Sequence, residues 1–336
     1  MLRIAIIGSG FGRYGLLPAF SGIDGCSVVA MCGKKDANMI ADCKKFGVEK
    51  IYTDWKELLK NEELDAVALA VTPRAQYTIA KAAIQKGLHV FAEKPLTANL
   101  VQAKELLVLA KKKKIVHCVD FLFPEINAWK YVKKLLDAKT YGELRHISAE
   151  WDFLSYDIKN KKKSWKTTSV EGGGALSFYF SHGLYYLEYL VGKIADVQSV
   201  FTYSKESLGG AEAGIDLIYR YKNGVTGSAH MSCNARGIHR HRVTFQCAKA
   251  LIVLENANSH VDDFILTVHT EHGSERLVVP AEDGIEGQDG RVTIVQKVAR
   301  RFVDSCKNHK KMTPSFVDGV RVQELIQVIR ASAKQR

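Results

Sequence analysis

The chain has 336 residues, enough for two domains that each bury a core of their own. With 46% hydrophobic and 25% charged residues it reads as globular, and no apolar run approaches the roughly 20 residues of a membrane span. The first strand opens at residue 3, which leaves no room for a secretory leader, so a cytoplasmic protein is expected. Seven scattered cysteines, never spaced CxxC, point away from a disulfide framework or zinc site and fit a reducing compartment. The net charge of +12 raises the question of nucleic acid, but its sharpest clusters do not read bases. Lys111 to Lys114 end an amphipathic helix, where cations suit the dipole, and Lys159 to Lys163 has the look of a solvated loop. An anionic small ligand is the expected partner, without nucleic acid, membrane or metal.

From residue 3 to about 120, short β-branched runs alternate with helical segments, the rhythm of a parallel sheet. Strands are predicted at 3–8, 27–32, 50–52, 66–71, 89–92 and 115–119, and helices near 12–22, 37–46, 55–60, 74–87 and 99–113. After Asp120 the pattern changes. A helix near 125–138, a strand at 145–154, a lysine-rich loop and a helix near 174–191 come first. Strands then follow at 199–204, 214–221, 225–233, 241–247, 251–255, 264–269 and 276–279, with turns such as Lys222-Asn223-Gly224 between them. Helices at 290–308 and 316–332, separated at Pro314, close the chain. The expected fold class is α/β: a Rossmann parallel sheet in residues 1–120, then an α+β domain with a large open, mainly antiparallel sheet in 121–336.

Gly8-Ser9-Gly10-Phe11-Gly12 follows a strand and opens a helix, the context in which such a turn binds a dinucleotide. Gly8 permits the tight turn, and Gly10 lets a pyrophosphate approach the amides at a helix N-terminus. The third glycine of GxGxxG falls on Arg13, so Gly12 substitutes by a one-residue shift and Arg13 is placed near phosphate. The acid that would hold a ribose 2′-hydroxyl belongs at the end of the second strand, which reads Cys32-Gly33-Lys34-Lys35. Lysines there favour the 2′-phosphate of NADP over NAD; a solvated helix start is the plainer alternative.

Further along stand Thr72-Pro73, Ala92-Glu93-Lys94-Pro95-Leu96, and Gly172-Gly173-Gly174-Ala175-Leu176 followed by His182. With the glycine turn, their order and spacing make the chain resemble the glucose-fructose oxidoreductase/inositol dehydrogenase/MocA family over essentially its whole length. The resemblance implies reversible hydride transfer at a carbinol carbon of a sugar, cyclitol or nucleotide-linked sugar. It implies that Lys94 reaches the reacting oxygen or the nicotinamide ribose, where an ammonium stabilises growing negative charge. Glu93 and Pro95 shape the turn that aims Lys94. Tyr77 stands where relatives frequently carry histidine, at a loop position near the nicotinamide, and Trp165 and Lys166 where they often contact substrate.

Family members commonly carry an aspartate four residues before the histidine and another three residues after it. Here these are Phe178 and Tyr185, and only His182 matches. Phe178, His182, Tyr185 and Tyr189 are expected to form one helical stripe. Either Lys94 and His182 suffice, with Tyr185 or Tyr179 donating a proton, or the chain is a cofactor-binding regulator or partner subunit without hydride chemistry. His239-Arg240-His241-Arg242 alternates like a strand and, lacking a carboxylate or cysteine to complete a metal set, is read as surface or anion contact. A broad open sheet needs its far face covered, so a homodimer or homotetramer is expected.

Overall fold

A computed structural model describes residues 1–258, 261, 263–284 and 286–333. The chain divides into two compact units, one of Met1–Leu122 with Asp283–Gln323, the other of Phe123–Glu282 with Glu324–Arg336.

The first unit runs β1 (Leu2–Ile7), α1 (Leu17–Ser21), β2 (Cys26–Cys32), α2 (Ala37–Lys45), β3 (Lys50–Tyr52), α3 (Trp55–Asn61), β4 (Ala66–Leu69), α4 (Pro73–Gln85), β5 (His89–Ala92), α5 (Leu100–Lys113) and β6 (His117–Val119). Its strands pair in the order β3-β2-β1-β4-β5-β6, all parallel. That order reverses direction between β1 and β4, the switch point at whose carboxyl edge open α/β sheets bind dinucleotides. β4 is buried throughout, as a strand covered on both faces must be. Helix starts follow local chemistry: Asp36 caps α2, Thr72 caps α4 ahead of Pro73, and Asn99 caps α5. Lys111, Lys112 and Lys113 fill the last turn of α5, as expected from the dipole.

The second unit contains α6 (Asn127–Asp137), β7 (Leu144–Asp152), α7 (Tyr156–Lys159), α8 (Ser181–Val191), β8 (Ile194–Thr202), β9 (Gly214–Tyr221), β10 (Thr226–Ser232), β11 (Arg240–Cys247), β12 (Leu251–Asn256), β13 (Ile265–Thr270) and β14 (Gly273–Leu277). The eight strands form one sheet, β14-β13-β12-β11-β7-β10-β9-β8. It is antiparallel except between β7 and β10, because β7 sits centrally and later hairpins add to both of its sides. β9 alternates buried and exposed residues, the mark of a sheet with one open face.

The closing helices are α9 (Arg291–Asn308) and α10 (Phe316–Ala333). Both were expected with residues 121–336. Instead α9 packs on the first sheet, where Phe302 meets Phe20 of α1 and Phe91 of β5 edge-on at centroid distances of 6.5 and 5.7 Å. Val292, Ile294, Val295, Val298, Ala299 and Val303 are buried along the same helix. Each Val or Ile side chain among these contributes about 1.5–3 kcal/mol when fully buried, which ties α9 to the Rossmann core. No helix among the described residues is long and apolar enough to cross a membrane.

Two predicted helices are interrupted. The segment 12–22 is a π-helical turn, Gly12–Leu16, followed by α1, and 174–191 is a π-helical turn, Ala175–Tyr179, followed by α8. Strand β8 begins five residues earlier than predicted, and β14 three residues earlier than predicted.

Candidate active site

The glycine turn leaves β1 at the switch point. Gly8 has φ +140°, and a Cβ there would lie 2.2 Å from the carbonyl oxygen of Ala70, so only glycine fits. Gly10 is the opposite case: among the described residues, no atom other than its own and its chain neighbours' lies within 4 Å of a Cβ built on it. The turn is thus packed below and open above, which fits a dinucleotide pyrophosphate drawn to first-turn amides. Ser9 Oγ accepts the Lys34 N–H at 2.7 Å, stapling the turn to the end of β2 beside Gly33. Lys34 and Lys35 are exposed, while the Asp36 carboxylate is engaged by the Met39 N–H at 3.0 Å. Arg13 forms an ion pair with Asp42 of α2, which takes its guanidinium toward that helix.

Glu93, Lys94 and Pro95 leave the carboxyl end of β5, two strands from β1 in the same sheet. Their turn has a support that the sequence reading missed. Gln76, 1% exposed, directs Nε2 at the carbonyl oxygens of Glu93, Pro95 and Leu96, at 2.6, 3.2 and 3.0 Å. The Lys94–Pro95 bond is cis, and the Lys94 N–H donates to Glu93 Oε2 at 3.1 Å. Tyr77 is not the loop residue expected beside the nicotinamide. It lies within α4, and its hydroxyl donates to Glu105 of α5 at 2.5 Å, with the Lys81 ammonium 5.6 Å from its ring. One residue of helix, 100° of rotation, sends Gln76 inward and Tyr77 outward.

Arg291, at the start of α9, was not anticipated either. Its guanidinium lies 4.5 Å from the Phe11 ring centroid, grips Asp289 through Nε at 2.8 Å and Nη2 at 2.7 Å, and is charge-coupled to Glu93. Distance along the sequence, about 280 residues from Phe11, hides that link.

In the second unit the glycine triplet is explained by crowding. Gly172 and Gly174 have φ of +84° and +102°, and a Cβ on Gly173 would sit 2.2 Å from the Trp165 carbonyl oxygen. A Cβ on Gly174 would meet Glu212 Oε1 at 2.4 Å. Glu212 in turn accepts the Leu176 N–H at 3.2 Å and pairs with Arg330 at 2.9 and 3.3 Å. The loop so held brings Trp165, Phe178 and Tyr179 together, with ring distances of 4.9 Å for Trp165–Phe178 and 4.4 Å for Phe178–Tyr179. The Lys166 ammonium stands 5.1 Å from the Phe178 ring. Burial keeps the Tyr179 phenol well above its ordinary pKa, so it remains a proton donor through the physiological range.

The single stripe expected along α8 is divided by the break at Phe180. Phe178 packs with Trp165 and Tyr179, Tyr185 stacks on Tyr189 at 6.2 Å, and buried His182 lies edge-on to Phe123 at 5.1 Å. His241 is neither surface nor anion contact. It is 4% exposed, stacked on Trp151 at 4.5 Å, and its Nε2 is 3.2 Å from the Tyr186 hydroxyl. Burial, reinforced by His239, pushes its pKa down to about 3. A histidine neutral in the fold but protonated when unfolded stabilises above about pH 6.5 and loses that contribution as pH falls toward about 3. Stability should therefore drop by up to ~1.4 kcal/mol per pH unit from this group over that window. His241→Phe should flatten the dependence of the urea midpoint on pH below 6.5, and an unchanged slope would remove His241 as its source.

Residues 2–121 match the family model described as an oxidoreductase family with an NAD-binding Rossmann fold, and residues 129–253 match the GFO/IDH/MocA C-terminal domain. The chain belongs to the glucose-fructose oxidoreductase/inositol dehydrogenase/MocA family. It is an NAD-binding oxidoreductase of that family, as its motifs implied. An uncharacterised oxidoreductase of Synechocystis is 28% identical across 100% of this chain and 95% of its own length. Levoglucosan dehydrogenase of Pseudarthrobacter phenanthrenivorans is 27% identical over 73% of this chain and 70% of its own. The fold is that of a levoglucosan dehydrogenase solved with NADH, at a TM-score of 0.86 and 21% identity, covering 99% of this chain and 97% of that one.

Proposed function

We propose that this family member transfers hydride reversibly at a carbinol or ketone carbon of a sugar, cyclitol or nucleotide-linked sugar, with NADP preferred to NAD. The observation that carries this reading is Lys94, fixed by Gln76 and the β5 end at the carboxyl edge of a sheet whose Gly10 lies open to a ligand. The bound nicotinamide supplies or accepts the hydride. In reduction, Lys94 Nζ donates a hydrogen bond and then a proton to the oxygen on which charge grows; in oxidation the free amine takes that proton back. His182 clamps substrate hydroxyls, Trp165 offers a ring face to the sugar, and Tyr179 or Tyr185 serves as an auxiliary donor. Similarity to a dehydrogenase named for levoglucosan supports a sugar-like substrate.

Within the coenzyme site, Gly8, Ser9, Gly10, Phe11, Gly12 and Arg13 are assigned to the pyrophosphate turn, with Thr72, Pro73 and Glu93 along the nicotinamide half. The NADP preference is supported by exposed Lys34 and Lys35 where an acid would hold the ribose, and by Asp36 being occupied as a helix cap. Nicotinamide fluorescence titrations should show NADPH binding more tightly than NADH. Replacing both lysines with alanine should erase about tenfold of that difference, near 1.4 kcal/mol, while leaving NADH affinity little changed. A wild-type protein that prefers NADH would reverse the assignment.

We further assign this chain to the cytoplasm, supported by seven free cysteines. Self-association into a dimer or tetramer is supported by exposed Val200 and Ile218 on the open face of β8 and β9, and equilibrium sedimentation measures it directly.

A further inference from the structure

The parallel register pairs Ala92 of β5 with Val119 of β6, and the Asp120 N–H donates to the Ala92 carbonyl at 2.9 Å. The next residues on each strand, Glu93 and Asp120, therefore leave the sheet side by side. Asp120 is 1% exposed, and among the described residues no N–H or O–H donor gives a hydrogen bond to either of its carboxyl oxygens. A buried carboxylate with no donor is among the costliest groups a fold can hold. The difficulty vanishes if the oxygen carries a proton of its own and donates it to Glu93.

We propose that Asp120 is a positioning residue: it and Glu93 hold one proton between them and present a single negative charge to Lys94. This rests on the role of Lys94 proposed above. The charge count of the surroundings agrees. Among the described residues, the pair and its neighbours are faced by Lys94 from the β5 end, by Arg291 and Asp289 from the start of α9 with Tyr14 beside Arg291, and by the Cys118 thiol, kept neutral by burial, from β6, with the opposite charges of Arg301 and Asp318 beyond it. Asp289 already neutralises Arg291, so among these named groups a single shared negative charge matches the Lys94 ammonium. Burial and the neighbouring Glu93 both push the Asp120 carboxyl upward, in keeping with a proton that stays bound at neutral pH. The single charge keeps Lys94 an ammonium without clamping it between two carboxylates.

Infrared difference spectra of the coenzyme-free protein test this without reference to turnover. Wild type should show the carbonyl stretch of a protonated carboxylic acid at neutral pH, and Asp120→Asn should lack it; identical spectra would overturn the proposal. In the working enzyme, replacing both carboxyls together, Glu93→Gln with Asp120→Asn, removes the shared charge beside Lys94 and should move the basic limb of the kcat/KM profile down by about one pH unit or more. An unmoved limb would likewise overturn it. Absence of turnover in wild type would instead strike the proposed function and leave the infrared result to decide the shared proton.

Discussion

Lys94→Ala is expected to lower kcat by about 10²- to 10⁴-fold while NADPH still binds within about threefold of wild type. The lysine emerges from a turn whose backbone is held by Gln76 at three carbonyl oxygens and by the sheet bond from the Glu93 N–H to the Leu69 carbonyl. Truncating the side chain beyond that scaffold should remove the proton donor and spare the fold. The turn proposed to anchor the coenzyme, Gly8 to Gly12, follows a different strand, β1, so binding and chemistry should separate in this variant. Lys94→Arg sharpens the outcome. A guanidinium keeps the positive charge but does not release a proton, so it should restore little of the rate. Turnover that survives Lys94→Ala would remove Lys94 as the proton donor, whereas no turnover in wild type would favour the non-catalytic, cofactor-binding reading, for which the replacement of both family carboxylates by Phe178 and Tyr185 is the sequence support.

The second large effect concerns stability. Glu212→Ala should cost about 3 kcal/mol in the folding of the second unit. The carboxylate side chain is 1% exposed, pairs in a fork with Arg330, and accepts the Leu176 N–H. Removing one partner of a buried pair costs about 3–5 kcal/mol, and the lower end applies because the Arg330 side chain remains 29% exposed. The same carboxylate abuts Gly174, so its loss also frees the loop that gathers Trp165, Phe178 and Tyr179. Urea denaturation should show the loss, with a rise in the KM of the proposed sugar-like substrate alongside it. A cost under about 1 kcal/mol would show that the glycine loop is held by its backbone alone.

Much of the first unit was legible because its determinants are local. Buried β-branched and apolar runs mark β1, β4 and β5, and Gly8 and Gly10 stand where a strand must turn into a helix. The Glu93-Lys94-Pro95 signature identified the end of β5 in the same way. What escaped were residues whose importance depends on distant partners. Arg291 meets Phe11 only after α9 returns to the first sheet, and Glu212 meets Gly174 across 38 positions of sequence. Asp120 stood at the very point taken for a domain boundary, and nothing local shows that its strand lies beside the end of β5.

His241 was a different kind of miss, since its signal was present. Along β11, His241, Val243 and Phe245 share the buried face, while Arg240 and Arg242 share the other with acids at their sides. Strand parity placed the histidine with the valine and phenylalanine; the flanking arginines drew the reading toward solvent. Tyr77 failed by a single residue of helix rotation, for which the neighbouring glutamine was the residue aimed at the site.

Isothermal titration calorimetry of the purified protein with NADPH and with NADH bears most directly on all of this. Saturable binding near one coenzyme per chain is predicted for both, tighter for NADPH, and retained in Lys94→Ala. No heat of association with either nucleotide would contradict a coenzyme seated on the amides after β1.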